Sequence, residues 1–197
     1  MSREATAARV VAAVLAAPAT LGAGRLVCVD GPSGAGKTTL AAALARAFRD
    51  ALRPVGGRVR VLHLDDMYDG WDGLAAGMAE VATSVVGPLR SGGTGRYRRF
   101  DWHAMARAEE RTVPPCDVLV VEGVGAWSSA VRDAVTCLVW VETPSAVRLE
   151  RGVARDGEAM RPRLLAWRAQ EEAMYAAERT REHADVVVDG QTGTVRT

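Results

Sequence analysis

The chain has 197 residues, 48% of them hydrophobic, and a formal net charge of +1. That length suits one domain able to bury a sizeable core, and the near-neutral balance argues against a dedicated nucleic-acid or membrane surface. No run approaches the roughly 20 apolar residues of a transmembrane helix. The three cysteines, Cys28, Cys116 and Cys137, lack a C-x-x-C spacing and read as buried thiols rather than as a metal site or disulfides.

Residues 1–20 open the chain with two competing patterns. Arg3, Arg9, the apolar residues 10–17 and Ala17-Pro18-Ala19 resemble a short secretory signal. The same segment fits an alanine-rich helix whose Val10, Val11, Val14 and Leu15 form one stripe. The helix is preferred, because the next segment calls for a nucleotide that is supplied in the cytoplasm.

Residues 25–30 form a short apolar run typical of a strand. Residues 39–48 have high helix propensity, with Leu40, Leu44 and Phe48 spaced by fours. Between them lies Gly31-Pro32-Ser33-Gly34-Ala35-Gly36-Lys37-Thr38, which fits the P-loop pattern GxxxxGK followed by Ser or Thr. In that motif, backbone amides wrap the phosphates, the lysine reaches the β- and γ-phosphates, and the hydroxyl coordinates Mg2+. Of the 25 Lys and Arg residues only Lys37 is a lysine, so a compact point charge on a flexible stem was kept where a P-loop needs one. Strand, glycine-rich turn and helix N-terminus together make an anion site and imply a nucleoside triphosphate.

Residues 59–64 read as a second strand, ending at Asp65-Asp66, and the segment 67–77, rich in Gly, Asp and aromatics, as a functional loop. Residues 80–90 read as helical, 117–121 and 137–141 as buried strands, 145–155 and 164–182 as helices, and 184–188 as a last strand. Near-continuous apolar strands separated by helices imply a parallel sheet covered on both faces. Ligands of such sheets sit at the carboxyl ends of the strands. There the P-loop, Asp65-Asp66 and Glu122-Gly123 converge, which suits phosphoryl transfer: metal ligands, and a carboxylate to take a hydroxyl proton. Turn or helix capping is the alternative role for the two aspartates.

Arg148, Arg151 and Arg155 share one helix face, with Arg161 and Arg163 beyond a turn. They could form a cationic lid or a solvated helix face. Arg96, Arg98 and Arg99 around Tyr97 could grip an anionic substrate or guard an exposed strand edge. His63 is read as structural, and Trp127, Trp140 and Trp167 as packing residues.

From about residue 25 to 190, these motifs make the chain resemble the uridine kinase and phosphoribulokinase branch of small P-loop kinases. Leu64-Asp65-Asp66-Met67-Tyr68 is similar to that family's D-S-F-Y segment, whose first Asp is the general base. Residues 115–123, Pro-Cys-Asp with an apolar run and Glu122-Gly123, are similar to its P-A-D strand ending in E-G. Arg148-Leu149, Arg151 and Arg155-Asp156 match its R-L-x-R-x-x-x-R-D lid entry, and Ala184-Asp185-Val186 its closing A-D-V strand. Phe100-Asp101-Trp102 with Arg107 looks like its nucleoside-contacting segment. Departures fall on the substrate side: Trp71-Asp72-Gly73-Leu74 only weakly echoes the ribose-binding F-D-H-P, and Met105 stands where a base-recognising His is expected.

The resemblance implies a single α/β domain over 1–197: a three-layer P-loop NTPase fold with a mostly parallel five-stranded sheet, helices on both faces and a short lid at 155–163. The implied function is ATP- and Mg2+-dependent phosphorylation of a small-molecule hydroxyl, with a uridine- or cytidine-like nucleoside as first candidate. Lys37, Asp65, Arg151 and Arg155 are the expected catalytic residues. Gly31, Ser33, Gly34, Ala35, Gly36, Lys37, Thr38, Thr39 and Arg161 are expected at the nucleotide. Asp65, Tyr68, Asp72, Phe100, Arg107 and Glu122 are expected at the acceptor, and Thr38 and Glu122 at the metal. No nucleic-acid or membrane partner is expected, the location is expected to be cytoplasmic, and homo-oligomerisation is left open. The rival readings are a P-loop ATPase acting as an accessory or switch protein, and a kinase of a vitamin, sugar or antibiotic.

Overall fold

The apolar runs assemble into one sheet in the computed structural model, which describes residues 2–196. In chain order the first half contains α1 (Arg3–Ala16), β1 (Arg25–Asp30), α2 (Lys37–Leu52), β2 (Val59–His63) and α3 (Leu74–Glu80). A π-helical turn (Val81–Val86) joins α3 to α4 (Gly87–Arg90), and β3 (Gly95–Asp101) and β4 (Ala106–Val113) follow. The second half contains β5 (Val118–Glu122), β6 (Val135–Glu142), α5 (Ser145–Asp156), α6 (Arg161–Glu178) and β7 (Val186–Asp189). The five-stranded sheet has the order β2-β5-β1-β6-β7, and every pairing in it is parallel. β1 lies at its centre, so the P-loop leaves the middle of the carboxyl edge.

Period-two alternation divides the core into two layers. Leu26 and Cys28 of β1, with Leu119 and Val121 of β5, pack towards α3, the π-turn and Trp167 of α6. Val27 and Val29, with Val118 and Val120, pack towards α1 and α2 on the opposite face. Helix α1 contributes Ala7, Val10, Val11 and Val14 to that second layer, close to the expected stripe, with Leu15 at its margin. Cys28 and Cys137 are buried free thiols, as expected.

The segment 95–113 stands apart from the sheet as an antiparallel hairpin of β3 and β4. Tyr97, Phe100 and Val113 are buried on its inner side. The arginines of β3 are occupied within the hairpin: Arg96 pairs with Glu110 at 2.9 Å, Arg99 with Glu109 at 2.9 Å, and Arg98 donates to the Ala108 carbonyl. Of the two roles open to this cluster, protection of exposed strands is the one the geometry supports. Among the described residues, no helix is long and apolar enough to cross a membrane.

Candidate active site

The P-loop follows from two backbone demands that only glycine meets cheaply. Gly31 has φ 142°, and a Cβ there would lie 2.1 Å from the Val141 carbonyl oxygen of β6. Gly36 is the N-cap of α2 in the left-handed region, with φ 104°. The chain can therefore turn sharply off β1 and enter α2 with its first amides unpaired, aimed at an anion. Lys37 is buried at the start of α2, and its Nζ donates to the Pro32 carbonyl at 3.0 Å.

Two buried carboxylates outside the expected site hold this loop. Asp30 accepts from the amides of Gly31 (2.7 Å), Gly125 (2.9 Å) and Trp127 (2.9 Å) and from the Tyr175 hydroxyl (2.8 Å). Burial outweighs these donors and pushes its carboxyl up to about 6. Glu171 of α6 accepts from the Ser33 amide at 2.8 Å and from Trp167 Nε1, one turn earlier, at 2.7 Å. Desolvation raises its carboxyl too, while Lys37 opposes that shift. Asp30 had one signal in the sequence, a carboxylate closing the central apolar strand. Glu171 had none, since its partner lies 138 residues away.

Beside the loop, Glu122 at the end of β5 is buried and accepts from Thr38 Oγ1 at 3.1 Å. The same oxygen is 2.6 Å from His63 Nδ1, and that contact raises the imidazole's pKa. His63, expected to be structural, holds the Glu122 carboxylate from β2. It ends β2, an edge strand, so its side chain is left 46% exposed and turned to the site. A hydroxyl and a carboxylate side by side at the P-loop suit Mg2+, which takes one or two protein oxygens and completes its shell with phosphates and water. Among the described residues no three His, Cys, Asp or Glu form a metal cluster of their own.

A cleft of about 970 Å3 opens over these groups. Ser33, Gly34, Gly36, Lys37, Thr38 and Thr39 line its floor. Gly31 and Ala35 lie behind the loop: Gly31 against β6, and Ala35 with its carbonyl accepting from Thr143 Oγ1 at 3.0 Å. Asp65 opens into the cleft, yet the walls around it desolvate the carboxyl and raise its pKa, with Glu122 adding to the rise and Lys37 and Arg155 opposing it. Asp66 instead lies against Tyr97 of the hairpin. The two aspartates therefore divide their roles, the first in the cleft and the second outside.

On the lid side, Arg151 and Arg155 of α5 line the cleft, and Arg151 donates to the Gly34 carbonyl at 3.0 Å. Arg148 donates to the Ser33 carbonyl from the same face. Arg161 departs from expectation: it pairs with Glu158 and Glu150 outside the cleft, and Arg163 lines the wall instead. The turn Glu158–Met160 directs the first residue of α6 back towards α5.

The acceptor-side expectations divide as well. Tyr68 lines the cleft with its ring, while its hydroxyl donates to the Val124 carbonyl at 2.5 Å. Phe100 is buried beneath Trp102, and Asp72 is exposed; neither lines the cleft. Arg107 is held away by Glu80 (3.1 Å), Asp69 (3.5 Å) and the Arg98 carbonyl (2.8 Å). None of these three positions lines the cleft. Trp167, expected only to pack, both packs and lines the cleft.

Fold and loop together define a P-loop NTPase of the three-layer α/β type. Residues 27–176 match the AAA domain family, and the chain belongs to that family. Among solved structures it is similar to a "possible uridine kinase" from Bacillus stearothermophilus, at 21% identity and a TM-score of 0.64, covering 94% of this chain and 96% of the other. It is also similar to a "putative fructose transport system kinase" from Silicibacter sp., at 23% identity and a TM-score of 0.55, covering 90% and 94%. Both likenesses establish the fold. No curated protein sequence matches the chain.

Proposed function

We propose that the protein is a cytoplasmic small-molecule kinase that moves the γ-phosphoryl group of ATP to an alcohol. One observation carries this reading: the Asp65 carboxylate stands in the same cleft as the P-loop, with a pKa raised by desolvation and with Arg155 near enough to oppose the rise. A base so placed can accept the acceptor hydroxyl's proton as its oxygen attacks. Loop amides and Lys37 hold the phosphates, and Arg151 and Arg155 offset charge on the transferred group. Thr38 and Glu122 would hold Mg2+, which supplies charge neutralisation at the phosphates when bound. The names of the two similar structures are in keeping with a kinase. A nucleoside acceptor rests on the resemblance of the Phe100–Arg107 segment, and neither of those end residues lines the cleft.

The test is ADP release across a panel of nucleosides, vitamins and sugars, with Lys37→Ala as the blank. Acceptor-dependent ADP release that is lost in the blank supports the reading. Hydrolysis stimulated by a protein partner and by no alcohol would instead favour an accessory ATPase.

A further inference from the structure

Four aromatic rings stand on the Asp65 side of the cleft: Tyr68, Trp71, Trp102 and Trp167. They form one contiguous wall. Trp71 meets Trp102 edge-on at 5.5 Å between centroids and Trp167 at 6.2 Å, and Tyr68 lies 5.2 Å from Trp167. Three of the four have turned their polar handles into the protein. The Tyr68 hydroxyl donates to the Val124 carbonyl, Trp167 Nε1 to Glu171, and Trp102 Nε1 to the Asp65 carbonyl at 2.8 Å. Trp71 keeps an indole N–H without a protein partner among the described residues. Met105, 49% exposed at the hairpin turn, and Met160 of the lid line the same cleft. Methionine fills irregular apolar gaps and makes favourable sulfur–aromatic contacts.

A sugar or nucleobase is selected by hydrogen bonds to its edges, and a site that selects in this way must present convergent donors and acceptors. This wall presents ring surface and thioethers; the side-chain donors beside it are few, the Trp71 indole and His103 on the exposed hairpin turn, with Arg163 on the lid side of the cleft. Arg107, which could have supplied a fork of donors, is spent on Glu80 and Asp69. We infer that, if the protein is the kinase proposed above, its acceptor is an alcohol borne on an aromatic or apolar ring with few polar edge groups. The ring would lie against Trp71 and Trp102 while its hydroxyl reaches Asp65. The step balances as ATP plus alcohol giving ADP plus phosphate monoester, with the hydroxyl proton passing to Asp65.

The experiment measures ADP release with benzyl alcohol, 3-pyridinemethanol, cyclohexylmethanol, uridine and ribose. Binding of each compound to the ADP-saturated protein is followed in parallel by quenching of tryptophan fluorescence. The wild type is compared with Trp71→Ala and Trp71→Phe, the latter keeping a ring should alanine weaken the fold. Ring alcohols should be preferred over uridine and ribose. Trp71→Ala should raise the acceptor KM by roughly ten-fold or more, as loss of a buried aromatic contact implies. The ATP KM should stay unchanged, and Trp71→Phe should restore most of the loss. Preference for uridine or ribose would overturn the inference while leaving the kinase reading standing. An acceptor KM indifferent to Trp71, or no binding or turnover of any ring alcohol, would overturn it as well. Failure of the kinase reading shows separately, as ATP hydrolysis that no alcohol stimulates.

Discussion

The two ends of the cleft are built by opposite means. At the P-loop end, the working groups are backbone amides and charged side chains, held from behind by the buried carboxylates of Asp30 and Glu171. At the far end, the surface is aromatic, and three of its four rings turn their polar atoms away. The first end belongs to the sheet and its central strand. The second is supplied by the loop before α3, by α6 and by a hairpin that stands off the sheet. On the proposed reading, the transfer chemistry sits on the central sheet, while acceptor choice falls to the loop, helix and hairpin around it.

Substitutions can break this division at known points. Asp65→Asn keeps the shape and removes the base, and general-base loss predicts a fall in kcat of roughly 10²–10⁴ with ATP binding spared. Isothermal titration with ATP, set beside turnover, checks both halves. The pH profile gives the same residue a second signature. A base works only when deprotonated, and desolvation raises the Asp65 carboxyl above the ordinary aspartate range. Activity should therefore fall on the acid side through a pKa above that of a free aspartate, and Asp65→Asn should lose that limb.

Arg155→Ala should lower kcat by about 10², the scale of one removed donor at a charge-developing site, with little change in the KM for ATP; steady-state kinetics decides. Glu171→Ala leaves the Ser33 amide and Trp167 Nε1 without their acceptor and should cost about 1–3 kcal/mol of stability, read by urea unfolding. Arg161→Ala should do least. Arg161 makes exposed pairs with Glu158 and Glu150 outside the cleft, so kcat should change by less than about two-fold. A large effect there would return Arg161 to the lid and blur the contrast with Arg155.

How much of this was legible in the sequence follows the same divide. Five apolar runs matched the five strands of the parallel sheet, because a strand covered on both faces reads as a near-continuous apolar run. The P-loop, Asp65 and Glu122 were legible because each directly follows such a strand. The contact of His63 with Glu122 was not legible, because apolarity along β2 does not reveal that β2 is an edge strand with one side open. Glu171 was out of reach: its role depends on an amide 138 residues away, and a helix face gives no sign of that. The positions of Phe100 and Arg107 depend on the register of the hairpin and on Glu80 and Asp69, which local pattern does not fix. Local motifs marked the P-loop and the strand-end carboxylates, and tertiary contacts made the aromatic side of the cleft.

The most direct test is a single turnover with ATP labelled in the γ-phosphate, run with an accepted alcohol on the wild type and on Asp65→Asn. Label should move to the alcohol in the wild type, and transfer should nearly stop in the variant although ATP still binds. Label passing to water at a rate indifferent to both the alcohol and Asp65 would contradict it.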